Sequence, residues 1–135
     1  MHLHSRPLAV AITLTMSLAA GALAGCASVA PRPSGLETCA RNKACTVTGA
    51  LSVFGGAPAS SALLETPTGC VALALTEEDY VRYRRTRNLR VQVTGTAYEQ
   101  QLMPNLLSYS LRDREVGVGM CSSPLVIYVE TMRPR

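Results

Sequence analysis

Tryptophan is absent from this 135-residue chain, phenylalanine occurs once (Phe54) and lysine once (Lys43), and the two histidines, His2 and His4, sit at its start. Beyond residue 4 there is therefore no imidazole. That removes the Ser-His-Asp triad, the Cys-His pair and histidine-ligated zinc or iron. Ser-Lys chemistry would have to rest on Lys43 alone. Acids gather only at Glu77-Glu78-Asp79 and around Asp113 and Glu115; a helix start accounts for the first set, and a charged turn with Arg112 and Arg114 for the second. Gly55-Gly56 and Gly117-x-Gly119 have no helix after them, so a phosphate-cradling loop has little support. No two cysteines are spaced by two residues, as a thiolate zinc site wants. An enzyme is not expected, and no cofactor or metal is implied.

Cationic charge is sparse too. Thirteen basic residues against nine acidic ones give a net charge of +4, which is not the footprint of a nucleic-acid protein. The densest basic stretch holds Arg82, Arg84, Arg85, Arg87 and Arg90, interleaved with Tyr80 and Tyr83. It reads first as a solvated helix end, with cations at the negative pole of the dipole. The competing reading is a patch for an anionic partner, such as phosphate-bearing lipid or an acidic protein.

What is present begins at the N-terminus. His2, His4 and Arg6 precede an apolar run from Leu8 to Leu23, followed by small residues from Ala22 to Gly25, the layout of a secretory signal. The run is shorter than the ~20 residues of a spanning helix, and Thr13, Thr15, Ser17, Gly21 and Gly25 interrupt it. Leu23-Ala24-Gly25-Cys26 resembles the lipobox of bacterial lipoproteins. The resemblance implies cleavage before Cys26, a diacylglycerol on its sulfur and a further acyl chain on the freed amine. Each buried methylene adds ~0.8 kcal/mol, so two or three chains hold firmly where one holds weakly. Ala27 stands where inner-membrane retention signals often place aspartate, so the resemblance favours the outer membrane, facing the periplasm.

Removing residues 1–25 leaves 110 residues, one small domain, with twelve basic and nine acidic residues and a net charge of +3. Residues 26–36, with two prolines, a glycine and serines after Cys26, read as a flexible linker of ~30 Å reach when extended. Residues 37–135 form the domain. Four cysteines remain beyond the anchor, Cys39, Cys45, Cys70 and Cys121. In an exported domain they read as two disulfides, with three connectivities open. A local Cys39–Cys45 loop and a long-range Cys70–Cys121 staple are the pairing expected.

Cys45 to Phe54 alternates cleanly, with Val47, Gly49, Leu51 and Val53 inward and Thr46, Thr48, Ala50 and Ser52 outward. Ser60 to Thr66 offers a weaker strand. Cys70 to Thr76 follows, with Val71, Leu73 and Leu75 on the core face and Ala72, Ala74 and Thr76 opposite. Thr76-Glu77-Glu78-Asp79 opens a helix, a capping threonine with three acids at the positive pole. Its arginines run to Asn88, which can stop it. Leu89 to Tyr98 is a second clear strand, sharing a Val-Thr-Gly triplet with the first; glycine inside a strand marks a bulge or sharp bend. Residues 106–120 suggest a hairpin, Leu125 to Thr131 a last strand, and Arg133-Pro134-Arg135 a frayed end.

This order resembles small exported OB-like lipoproteins, whose first and fourth strands often read Val-x-Gly. It implies a mostly β fold, a five-stranded Greek-key barrel with one short helix; a seven-stranded β-sandwich is the alternative. In OB barrels the third and last strands run parallel, which would bring Cys70 beside Cys121. Nucleic-acid and sugar binders of that fold carry aromatic and basic side chains on the second and third strands. Here that face lacks aromatics, and no nucleic acid is expected. Tyr98, Tyr109 and Tyr128 are read as filling strand edges. The function expected is a membrane-anchored, non-enzymatic envelope lipoprotein that binds a protein or glycan through the loops near Gly55-Gly56 and residues 99–120. The alternative is a structural or accessory subunit of an envelope assembly.

Overall fold

A computed structural model describes residues 35–55, 60–103 and 105–135. The leader, Cys26 and most of the linker lie outside the described residues. Along the chain run β1 (Ala44–Phe54), β2 (Ser61–Thr66), β3 (Gly69–Ala74), α1 (Glu77–Arg82), β4 (Leu89–Glu99), β5 (Ser108–Leu111), β6 (Arg114–Gly117) and β7 (Leu125–Pro134). Five of the strands close into a barrel in the order β1-β2-β3-β7-β4, with β5 and β6 as a separate hairpin. The pairs are antiparallel except β3 with β7, which run parallel. This is the OB-like five-stranded barrel.

The period-two pattern fixes which side chains meet inside. Val47, Leu51, Val71, Leu73, Val91, Val93, Ala97 and Ile127 are buried in one continuous core. One residue of slip in any of these strands would turn its apolar set to solvent. Both Val-Thr-Gly glycines meet a neighbouring backbone. A Cβ on Gly49 would crowd the Glu65 carbonyl, and one on Gly95 the Tyr128 carbonyl. At Gly95 the β4–β7 register also shifts, between Thr94 opposite Thr131 and Gly95 opposite Val129. The shared triplet thus reflects one steric demand met twice.

Both disulfides form as expected, Cys39–Cys45 with Cα atoms 5.1 Å apart and Cys70–Cys121 at 5.5 Å. The parallel pairing of β3 with β7 supplies the second geometry, because the two strands start side by side.

Five expectations need correction. The outward face of β3 is not open: Ala72 and Ala74 are buried under the β5–β6 hairpin, in a second core with Tyr109, Val116 and Val126. The tyrosines lie there instead of at strand edges, with Tyr98 and Tyr128 partly buried against the same cluster. The helix ends at Arg82, well before Asn88, because Tyr83 leaves the helical conformation. Beyond it Arg85 and Asn88 adopt left-handed backbone (φ 65° and 57°), and Val53 donates its N–H to the Thr86 carbonyl, pulling the segment onto β1. The C-terminal residues are no frayed end: β7 pairs with β4 as far as Pro134 opposite Val91, and Arg135 donates to the Arg90 carbonyl and the Gln92 side chain. Leu36, read as the last linker residue, opens a 3-10 turn and packs against the core.

Candidate functional site

A barrel has two ends, and the loops at each end can form a site. At one end β1 passes into β2, and β3 passes through α1 into β4. There a cleft of about 460 Å³ opens between Val53, Gly55 and Ser60 on one side, α1 on another and the hairpin turn on the third. Thr76 starts α1 by accepting the Asp79 N–H (3.1 Å), which leaves Glu77, Tyr80 and Val81 on the cleft.

Two side chains lock the hairpin to this end. The Tyr80 hydroxyl lies within hydrogen-bond distance of the Leu73 carbonyl (3.3 Å) and the Glu115 carbonyl (3.0 Å), joining helix, barrel and hairpin. The Arg114 guanidinium donates to the Ala74 carbonyl (2.8 Å) and to the Val129 carbonyl, and lies 3.8 Å over the Tyr128 ring. Arg112 takes up a left-handed backbone (φ 58°) in the turn, with its guanidinium 5.1 Å over the Tyr98 ring and 5.5 Å over that of Tyr128. Each cation–π contact contributes ~0.5–2 kcal/mol, enough to offset the strain of that turn residue.

The rim is of mixed charge. Arg84 and Arg114 face Glu77, Asp113 and Glu115, with Val53, Leu75 and Val81 supplying apolar surface. The Tyr128 hydroxyl donates to Asp113 at 2.5 Å. That bond first, with Arg114 and Arg112 adding to it, holds the Asp113 carboxyl below its ordinary range. Asp113 is thus ionised and weakly basic at neutral pH. Such a rim can hydrogen-bond a polar or zwitterionic ligand.

Burial pushes the Tyr80 phenol up to about 12. The folded protein therefore keeps that proton between about pH 10 and 12 while the unfolded chain loses it, so stability falls as pH rises through that window. Tyr80→Phe should cost about 1–2 kcal/mol at pH 7 through its lost hydrogen bonds. It should also lose less stability than the parent between pH 10 and 12. Urea midpoints of both proteins across that range check this, and parallel declines would count against it.

The sequence-predicted arginines do not form one patch. Arg82 pairs with Glu78 at 2.6 Å on the helix surface. Arg87 folds back over the Phe54 ring (3.9 Å) and donates to the Val53 and Thr86 carbonyls. Arg84 borders the cleft, whereas Arg90 lines a separate hollow with Glu37 and Glu65. Arg85 is exposed in the turn after α1. Cys39, Cys45, Cys70 and Cys121 lie in disulfides, away from the cleft. Among the described residues, no three His, Cys, Asp or Glu side chains stand close enough to share a metal ion.

Neither a family model, nor a curated protein, nor a solved structure matches this chain. The site is therefore argued from its own chemistry. Sequence reasoning missed Tyr80 and Arg114 as the residues that build it. The signal was present for Arg114: it alternates with Val116 on β6, placing a cation on the face that packs against the barrel.

Proposed function

We propose that this chain is a lipid-anchored, non-enzymatic envelope module that binds a protein or glycan partner in the cleft between Gly55 and the Arg112–Glu115 turn. The observation carrying the binding half is the cleft itself, which lies between the two loop regions expected to meet a partner. Its rim offers donors from Arg84 and Arg114 and acceptors from Glu77, Asp113 and Glu115. The anchor rests on Leu23-Ala24-Gly25-Cys26, and its resemblance favours the outer membrane. A second reading, an accessory subunit of an envelope assembly, draws on the exposed Leu102, Met103 and Leu107.

Experiments in intact cells test both halves. Cys26→Ser is expected to move the protein from the membrane to the soluble fraction, and the parent to carry acyl mass on its processed N-terminus; continued sedimentation of the serine variant would remove the anchor. A photo-crosslinking residue in place of Val81, on the cleft, should give a discrete adduct that Arg84→Glu weakens. The same crosslinker at exposed Glu130 should give none. Equal adducts from both positions would remove the cleft from the reading.

A further inference from the structure

Five large apolar side chains are exposed among the described residues. Val81 lines the cleft. The other four, Leu102 (64% exposed), Met103 (60%), Leu107 (76%) and Met120 (39%), fall in the excursion between β4 and β7. Leu106 donates its N–H to the Met103 carbonyl (3.2 Å), and Val118 to the Leu107 carbonyl (2.9 Å), so the two arms of the excursion are tied together. Met120 is fixed from the other side, next to Cys121 and with its carbonyl 3.7 Å from the Cys70 sulfur. A gathered apolar surface of this kind marks contact with a membrane or a protein.

The position of the tether chooses between them. The described chain begins at Gly35, and Leu36 lies within 3.9 Å of where a Cβ on Gly69 would stand. Gly69 adjoins Cys70, which is bonded to Cys121 beside Met120. One side-chain contact, the Cys70–Cys121 bond and two chain steps join Leu36 to Met120, a span of no more than roughly 25 Å. The β1 start, the β2–β3 turn, the end of β4 and the start of β7 all gather at this barrel end, because β1 is antiparallel to β4 and β3 parallel to β7. Only eight residues lie between Cys26 and Gly35, a reach of ~30 Å. The cleft, built where β3 passes into α1, lies at the opposite end.

We propose that Leu102, Met103, Leu107 and Met120 seat in the interfacial layer of the bilayer that carries the anchor, so that the domain stands on the membrane at two points with its cleft turned away. This rests on the anchored reading above. Charge contributes little: Arg41 is paired with Glu99 at 3.0 Å, and exposed Glu37 and Glu65 stand at the same end as Lys43. Seating is therefore apolar, and indifferent to anionic lipid and to salt.

The chain has no tryptophan, so Leu102→Trp supplies a single fluorophore. The acylated full-length mature protein is reconstituted in phosphatidylethanolamine–phosphatidylglycerol vesicles with and without brominated lipid. Flotation of the same sample reports the anchor separately. Leu102→Trp is expected to be quenched about two-fold by lipid at interfacial depth, Val81→Trp hardly at all, and added Leu107→Asp to return the first to the second. Protein that fails to float overturns the anchored reading. Protein that floats with Leu102→Trp unquenched, or with both positions quenched alike, overturns the docking alone, as does quenching that survives Leu107→Asp. A concentration-dependent blue shift without lipid would assign the tip to a second copy or an assembly partner, and also overturns it.

Discussion

Gly95→Ala is expected to be the most damaging single-methyl change in the barrel. The added Cβ would stand 2.9 Å from the Tyr128 carbonyl carbon, nearer still to its oxygen, and 3.1 Å from the Ile127 side chain. A flexible side-chain tip could move aside. A peptide carbonyl inside a closed barrel cannot, because displacing it breaks the β4–β7 ladder on both sides of the bulge. Overpacking costs ~1–3 kcal/mol where side chains give way, and more where they cannot. About 3 kcal/mol or more is expected here, lowering Tm by at least about 12 °C in a domain of this size. Gly119→Ala isolates the other contribution a glycine makes. Gly119 has φ 83° and nothing within 4 Å of an added Cβ, so it should show only the ~1 kcal/mol of a left-handed backbone. Urea denaturation of both variants decides. Gly95→Ala within about 1 kcal/mol of the parent would mean that the bulge yields.

The second large effect belongs to the Cys70–Cys121 bond. Its loop spans 51 residues, and the chain-entropy relation assigns such a loop about 4 kcal/mol. The six-residue Cys39–Cys45 loop is worth only about 2 kcal/mol by the same relation. Cys70→Ser with Cys121→Ser should therefore lower Tm by about 20 °C, roughly twice the effect of Cys39→Ser with Cys45→Ser. Thermal melts of the two double variants test the ordering. The long loop also holds Met120 and one end of the hairpin excursion, so losing it should loosen the apolar tip before the barrel melts. Equal melting of the two variants would show that closure of the barrel already supplies what the long staple was thought to add.

The barrel was legible in the sequence because its physics is local and periodic. Val47, Leu51 and Val53 alternate with polar residues, as do Val91 and Val93, and one face of each strand can only point inward. Thr76 and the acids after it announced the start of α1 in the same way. Its end was not legible, because arginine and tyrosine both tolerate a helix; a long-range bond from Val53 to Thr86 stops it. Alternation also separates the two faces of β3 without saying what covers either. Ala72 and Ala74 read as an outer face, and their smallness now has a reason: Tyr109 and Val116 of the hairpin pack there. The arginine run misled for a related cause. Neighbours in sequence become a patch only on a regular element, and this run crosses a helix end, a turn and a strand.

The order of the strands around the barrel has a consequence for the order in which an emerging chain can fold. β7 follows every other barrel strand in the chain, yet it is the stave that bridges β3 and β4. A polypeptide threaded through a translocation channel N-terminus first would leave both neighbours gaping until residues 125–134 emerge. On the proposed export route, the half-built domain would wait with raw hydrogen-bonding rims exposed, and its folding would be a post-translocational event guarded by whatever holds unfinished chains beyond the channel.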